Sequence, residues 1–339
     1  MSYYEQVANW INQNTQGARI GQAEQLPPRQ SDPWGTERRY RPGAAAANYV
    51  NGKRKLPQRS YVTVSEGNVQ NAINKIVESS KQLQSAGKLD AVQILSTDDT
   101  VTLNSLVSQL NNSPQDPRPT TNQIALLLTA ASTWPIKERV PAIAILARLA
   151  VSPAFVSATS SNGKTIIDTL SQAGLLTPKQ PTVNNVVHAI RLIVNLFNSN
   201  SGRSITDCAF DSILELVRPF TADPESPAQY KALAALYLNY AVLLTTSVPS
   251  TISTSREARA RILLIDIATL LESESPHATD TDALYRTLCA LGTLFMLSSS
   301  LKAEMKSGIS GTLQFVGSKP GMQMQNVKEV VQEIRDELR

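Results

Sequence analysis

Val140–Pro141–Ala142–Ile143–Ala144–Ile145–Leu146–Ala147–Arg148–Leu149–Ala150–Val151 is an apolar helical run with one arginine inside it. A polar group buried without a partner costs about 1–3 kcal/mol, so Arg148 is expected to face a groove or a satisfied network. Three other apolar stretches repeat the pattern with Asn195, Asn239 and Arg286, at steps of 47, 44 and 47 residues. Repeats of about 40–47 residues characterise helical arrays that line one shared concave surface. The four residues are therefore read as a row of donors along a peptide-holding groove.

Composition agrees with helices packed on helices. The 339 residues are 42 % apolar but only 5 % aromatic, with Leu and Ala dominating the periodic regions. That balance favours close helix packing over a sheet rich in β-branched and aromatic residues. The expected fold is all-α, an armadillo-like right-handed superhelix of stacked helical repeats.

The net charge of +4 is uneven: residues 1–60 carry nine Lys or Arg against four Asp or Glu, leaving residues 61–339 slightly acidic. Lys53–Arg54–Lys55 is the candidate nucleic-acid contact, but without interleaved aromatics it reads as a solvated basic linker, and no specific nucleic acid is expected. Cys208 and Cys289 both lie in apolar helical patterns and are expected to be buried thiols. No charged segment followed by an apolar core opens the chain, and the run Leu233–Leu244 is too short to span a bilayer. A soluble protein of cytosol or nucleus, without membrane partners, is expected.

Residues 3–14 read as a short helix with Val7, Trp10 and Ile11 on one face, followed by a Pro-, Gln- and Gly-containing tether. Helical patterning then covers 66–86, 99–111, 121–133, 136–151, 163–174, 182–199, 205–218, 227–247, 256–273, 280–298 and 324–338, punctuated by prolines. In 182–199, Val186, Ile190, Ile193 and Phe197 form an apolar stripe, while Asn184, His188, Arg191, Asn195 and Asn198 form a polar ladder. Amide and guanidinium groups suit the backbone and carboxylates of an extended peptide.

Catalytic signatures are weak. Asn162–Gly163–Lys164–Thr165 imitates the end of a phosphate loop, but Ala158 stands where the upstream glycine is needed and no strand is expected before it. His188 and His277 lack metal-ligand spacing, so no cofactor or metal is expected. Spacing leaves a pairing of His188 with either cysteine open, but apolar surroundings raise a thiol pKa rather than lower it. Glu272 and Glu274 read as a polar helix end rather than a catalytic pair. The chain is not expected to be an enzyme.

Several stretches resemble one family. Leu56–Pro57–Gln58–Arg59–Ser60–Tyr61–Val62–Thr63–Val64 with Asn68 looks like the opening of a PUL domain. Trp134–Pro135–Ile136–Lys137–Glu138–Arg139–Val140–Pro141, the helix with Arg191 and Asn195–Leu196–Phe197, Leu238–Asn239–Tyr240, and Ala283–Leu284–Tyr285–Arg286 with Ala290–Leu291–Gly292–Thr293–Leu294 follow in the family's order. Tyr4–Glu5–Gln6–Val7–Ala8–Asn9–Trp10–Ile11, Asp32–Pro33–Trp34–Gly35 and Arg39–Tyr40–Arg41–Pro42–Gly43 resemble the last helix and exit of a PFU ubiquitin-binding domain. The combination is similar to the phospholipase-activating-protein and ubiquitin-fusion-degradation adaptors. It divides the chain into a truncated PFU helix (1–15), a flexible basic linker (16–55) and a PUL domain (56–339).

The resemblance implies a non-catalytic adaptor of the ubiquitin–proteasome system that binds the acidic C-terminal tail of valosin-containing protein, a hexameric AAA+ unfoldase. Its tail-binding arginines fall on Arg148 and Arg286, with Arg139 as the alternative to Arg148. Asn195, Asn239 and Arg191 join them from periodicity. Ubiquitin is implied as a second partner through the upstream region that is missing here. Alternatives are a ubiquitin-binding or ubiquitin-processing module, and nucleic-acid contact through the basic linker.

Overall fold

The structure is a computed structural model that describes residues 54–65, 67–90, 93–114, 116–160, 165–176, 182–246 and 254–339, all within one compact unit. The helix expected over residues 3–14 and the PFU-like motifs lie outside the described residues, as do Lys53 and Asn162–Gly163–Lys164.

Among the described residues the fold is all-α, an armadillo-like stack of fourteen α-helices with short 3-10 turns. The first half comprises α1 (Val69–Ser85), α2 (Thr97–Asn112), α3 (Thr121–Thr133), α4 (Val140–Leu149), α5 (Pro153–Ala158), α6 (Ile166–Gln172) and α7 (Val183–Leu196). The second comprises α8 (Asn200–Cys208), α9 (Phe210–Val217), α10 (Pro227–Thr246), α11 (Thr254–Glu272), α12 (Thr281–Phe295), α13 (Ser299–Val316) and α14 (Gln325–Leu338).

Local chemistry sets the helix starts. Asn68, Ser96, Thr120, Ser152, Thr165, Thr182, Ser199, Asp280 and Ser298 each accept a backbone N–H of the first turn. Ser96 with Asp99, Thr120 with Gln123, and Thr165 with Asp168 complete reciprocal capping boxes. Thr165, the last residue of the phosphate-loop look-alike, is thus a helix cap, and helix α5 rather than a strand precedes it.

Helix α10 is apolar all round and buried from Gln229 to Leu244 except at Lys231, because it packs between α7 and α12 with α11 against it. Tyr240 at its middle stacks edge-on against Phe197 and Phe210, both at 5.0 Å between ring centroids.

The structure corrects several sequence expectations. Helices α5 and α13 lie outside the spans marked by helical patterning. The span 136–151 opens as a 3-10 turn, Ile136–Glu138, before α4, and 205–218 breaks at Ala209 between α8 and α9. Cys208 is exposed at the end of α8, where the helix turns its polar side outward, whereas Cys289 is buried as expected.

Candidate functional site

The N-terminal segment of the described chain runs extended across the inner helices. Gly67 adopts φ +105°, a value L side chains rarely take, and turns this segment into the Asn68 cap of α1. Before that turn the backbone is held by side chains from five helices.

Asn195 of α7 accepts the Val64 N–H at 2.7 Å and donates to the Val64 carbonyl at 2.8 Å and to the Ala147 carbonyl of α4 at 2.7 Å. Asn239 of α10 repeats the pattern: it accepts from Val62 N–H at 2.7 Å and donates to the Val62 carbonyl at 2.9 Å and the Val194 carbonyl at 3.1 Å. Both amides are fully buried, and both donors of each are used. Each asparagine ties one residue of the extended segment to the neighbouring repeat.

The clamp continues at both ends. Arg148 of α4 donates to the Gly67 carbonyl at 2.7 Å. Thr293 of α12 accepts the Gln58 N–H at 2.9 Å, and Leu56 is buried against Gly292, where a Cβ would sit 2.3 Å from its Cδ1. Glu333 of α14 accepts the Lys55 N–H at 2.7 and 2.9 Å and the Leu56 N–H at 2.9 Å. Glu329, Glu333 and Glu337 share one face of α14 at four-residue steps, and Lys55 pairs with Glu329 while Arg54 reaches Glu337 at 3.4 Å. The basic residues Arg54 and Lys55, expected in a solvated linker, are thus matched to an acidic stripe.

Three of the four periodic residues, Arg148, Asn195 and Asn239, meet on one line. The asparagines do so as receptors of the chain's own backbone, which corrects their reading as free peptide donors: no N–H of either is left over. Arg286 lies seven residues before Thr293 on α12, about 10 Å along the helix, where it pairs with Asp282 at 2.6 Å. Its buried Nε has no hydrogen-bond partner among the described residues. Arg139 donates to the carbonyls of Trp134 at 2.5 Å and Ala173 at 2.8 Å, which fixes the turn before α4.

On α7, Arg191 is half-buried, and burial together with the nearby Arg191 charge pushes His188 down to about 4, so it is neutral at physiological pH. Burial lowers the Arg148 pKa as well, without approaching neutrality. Thr293, Gly292 and Glu333 escape the periodic reading, since Thr293 comes 54 residues after Asn239 and has ordinary neighbours. The signal that contains two of them is the quoted Leu291–Gly292–Thr293–Leu294 motif.

Burial pushes the Cys289 thiol up to about 12. At pH 8 an aromatic disulfide reagent should therefore titrate one thiol in the folded protein and two in urea. Cys208→Ser should abolish the native reaction, and rapid native labelling of Cys289 would contradict this environment. Among the described residues no cluster of His, Cys, Asp or Glu is arranged to hold a metal.

Inner helices that grip the chain's own extended segment through buried amides define an armadillo-like helical domain. The PUL domain family model matches residues 56–333, and the chain belongs to that family. The fold also matches the crystal structure of a PFU–PUL domain pair of Saccharomyces cerevisiae Doa1/Ufd3, at a TM-score of 0.53 and 18 % identity over 85 % of this chain and 82 % of that one. A search of curated proteins found no match.

Proposed function

We propose that this chain is a non-catalytic adaptor of the ubiquitin–proteasome system whose groove receives the acidic C-terminal tail of valosin-containing protein. Membership of the PUL family and the fold shared with the PFU–PUL pair support the adaptor class. The observation that carries the peptide reading is Arg286: its side chain is 15 % exposed, its Nε donor has no partner among the described residues, and its ion pair to Asp282 is a local contact on the same helix. A guanidinium with a spare donor in a partly desolvated setting is suited to a carboxylate.

Arg148, Arg286 and Arg191 bind the carboxylates in this reading, and Asn195 and Asn239 serve indirectly by seating the segment. No described helix is long and apolar enough to cross a membrane.

Fluorescence anisotropy with a labelled tail peptide tests the assignment. Arg286→Ala and Arg148→Ala should each weaken binding by about 1.5–3 kcal/mol. Unchanged affinity in variants with a native melting curve would refute the roles of these arginines.

A further inference from the structure

In an extended chain each residue points its N–H and C=O to one side and the next residue points them to the other. Val62 and Val64 turn theirs inward, onto Asn239 and Asn195. Tyr61, Thr63 and Ser65 therefore turn theirs outward. Their backbone groups take part in no hydrogen bond among the described residues, and Tyr61 and Thr63 are partly exposed and Ser65 exposed.

We propose that this outward edge, Tyr61–Thr63–Ser65, is where an extended acidic peptide adds as a second strand, an inference that rests on reading the chain as an acidic-peptide receptor. Unpaired strand edges template exactly this kind of main-chain pairing. Charge selects the occupant. The charged side chains seen in contact with residues 61–65 and 67 are arginines: Arg203 stacks 4.8 Å from the Tyr61 ring centroid, and Arg148 binds the Gly67 carbonyl. Carboxylates gather instead at the opposite end of the segment, where Glu329, Glu333 and Glu337 hold residues 54–56. The two arginines outnumber the one carboxylate of the segment, Glu66, so the 61–67 end favours an acidic chain, while at the other end Glu329 and Glu337 are already matched by Lys55, Arg54 and Lys302.

This arrangement also reconciles a peptide receptor with a filled groove. The asparagines spend their donors on the chain's own segment, and the segment then offers the next layer of backbone donors and acceptors. Recognition of main chain comes from the edge and recognition of acidic side chains from the flanking arginines.

Thr63→Pro removes one outward N–H while sparing both inward ones, and its fixed φ and the restriction on Val62 suit extended backbone. With the labelled tail peptide, Thr63→Pro should weaken binding by at least about tenfold and Thr63→Ala by less than about twofold. Should Thr63→Pro melt early, the unaltered protein decides the matter with tail peptides N-methylated at odd or at even positions. One register should lose affinity and the other keep it. If Thr63→Pro and both methylated peptides bind like their parents while Arg148→Ala or Arg286→Ala loses affinity, the edge is not the site and the receptor reading stands. If the tail peptide fails to bind the unaltered protein, both fall.

Discussion

Asn239→Ala should destabilise the protein by about 3–5 kcal/mol, measured by urea unfolding. The side chain makes three hydrogen bonds in a fully buried position, and truncation strands the N–H and C=O of Val62 and removes a partner from Val194. An unsatisfied buried polar group costs about 1–3 kcal/mol, and water has little access here. Asn239→Asp should fare no better, since it keeps the acceptor, loses both donors and buries a charge. Asn195→Ala should cost a similar amount, but the double variant less than the sum, because both amides hold one segment and the first loss already loosens it. A loss below about 1 kcal/mol for Asn239→Ala would mean that the segment is not seated in solution.

Gly202→Ala should cost about 2–4 kcal/mol despite a helix-propensity gain of about 1 kcal/mol. Its Cβ would stand 2.0 Å from the Leu196 carbonyl oxygen and 3.0 Å from Ser199 Oγ. The first of these is backbone at the end of α7, so relief requires shifting the junction of α7 and α8 rather than rotating a side chain. That junction follows Asn195 by one residue, and Arg203 donates across it to the Phe197 carbonyl at 2.7 Å. Damage should therefore spread to the Val64 clamp, visible as faster amide exchange there. Gly308→Ala is the control: nothing lies within 4 Å of its Cβ position, so the same change should be neutral or stabilising.

The periodic polar residues exposed the repeat architecture because a buried amide or guanidinium is costly enough to be noticed in an apolar run. They did not reveal the occupant. Nothing in the run around Asn195 or Asn239 says that its partner is backbone 131 or 177 residues upstream. The family motifs carried that information in a different form: Leu56–Val64, the helix with Asn195, Leu238–Tyr240 and Leu291–Leu294 are the pieces that touch one another along the segment. Helix α13 was illegible because Gly308, Gly311 and several serines dilute its propensity. Only four apolar residues, Leu301, Ile309, Leu313 and Val316, mark its buried face, beside Thr312. Cys208 misled for the opposite reason, since its mostly polar helix was read together with the apolar one that follows.

The extended segment also imposes an order on biosynthesis. Its receptors leave the ribosome in sequence: Asn195 for Val64, Asn239 for Val62, Thr293 for Gln58 and finally Glu333 for Leu56, 277 residues after the group it holds. The first described residues to be made are thus the last to be secured. A nascent chain that has not yet made α14 can stack its earlier helices and bury Leu56 against Gly292, but lacks the carboxylate that holds the backbone N–H groups of residues 55 and 56, so the domain closes fully only once α14 has emerged.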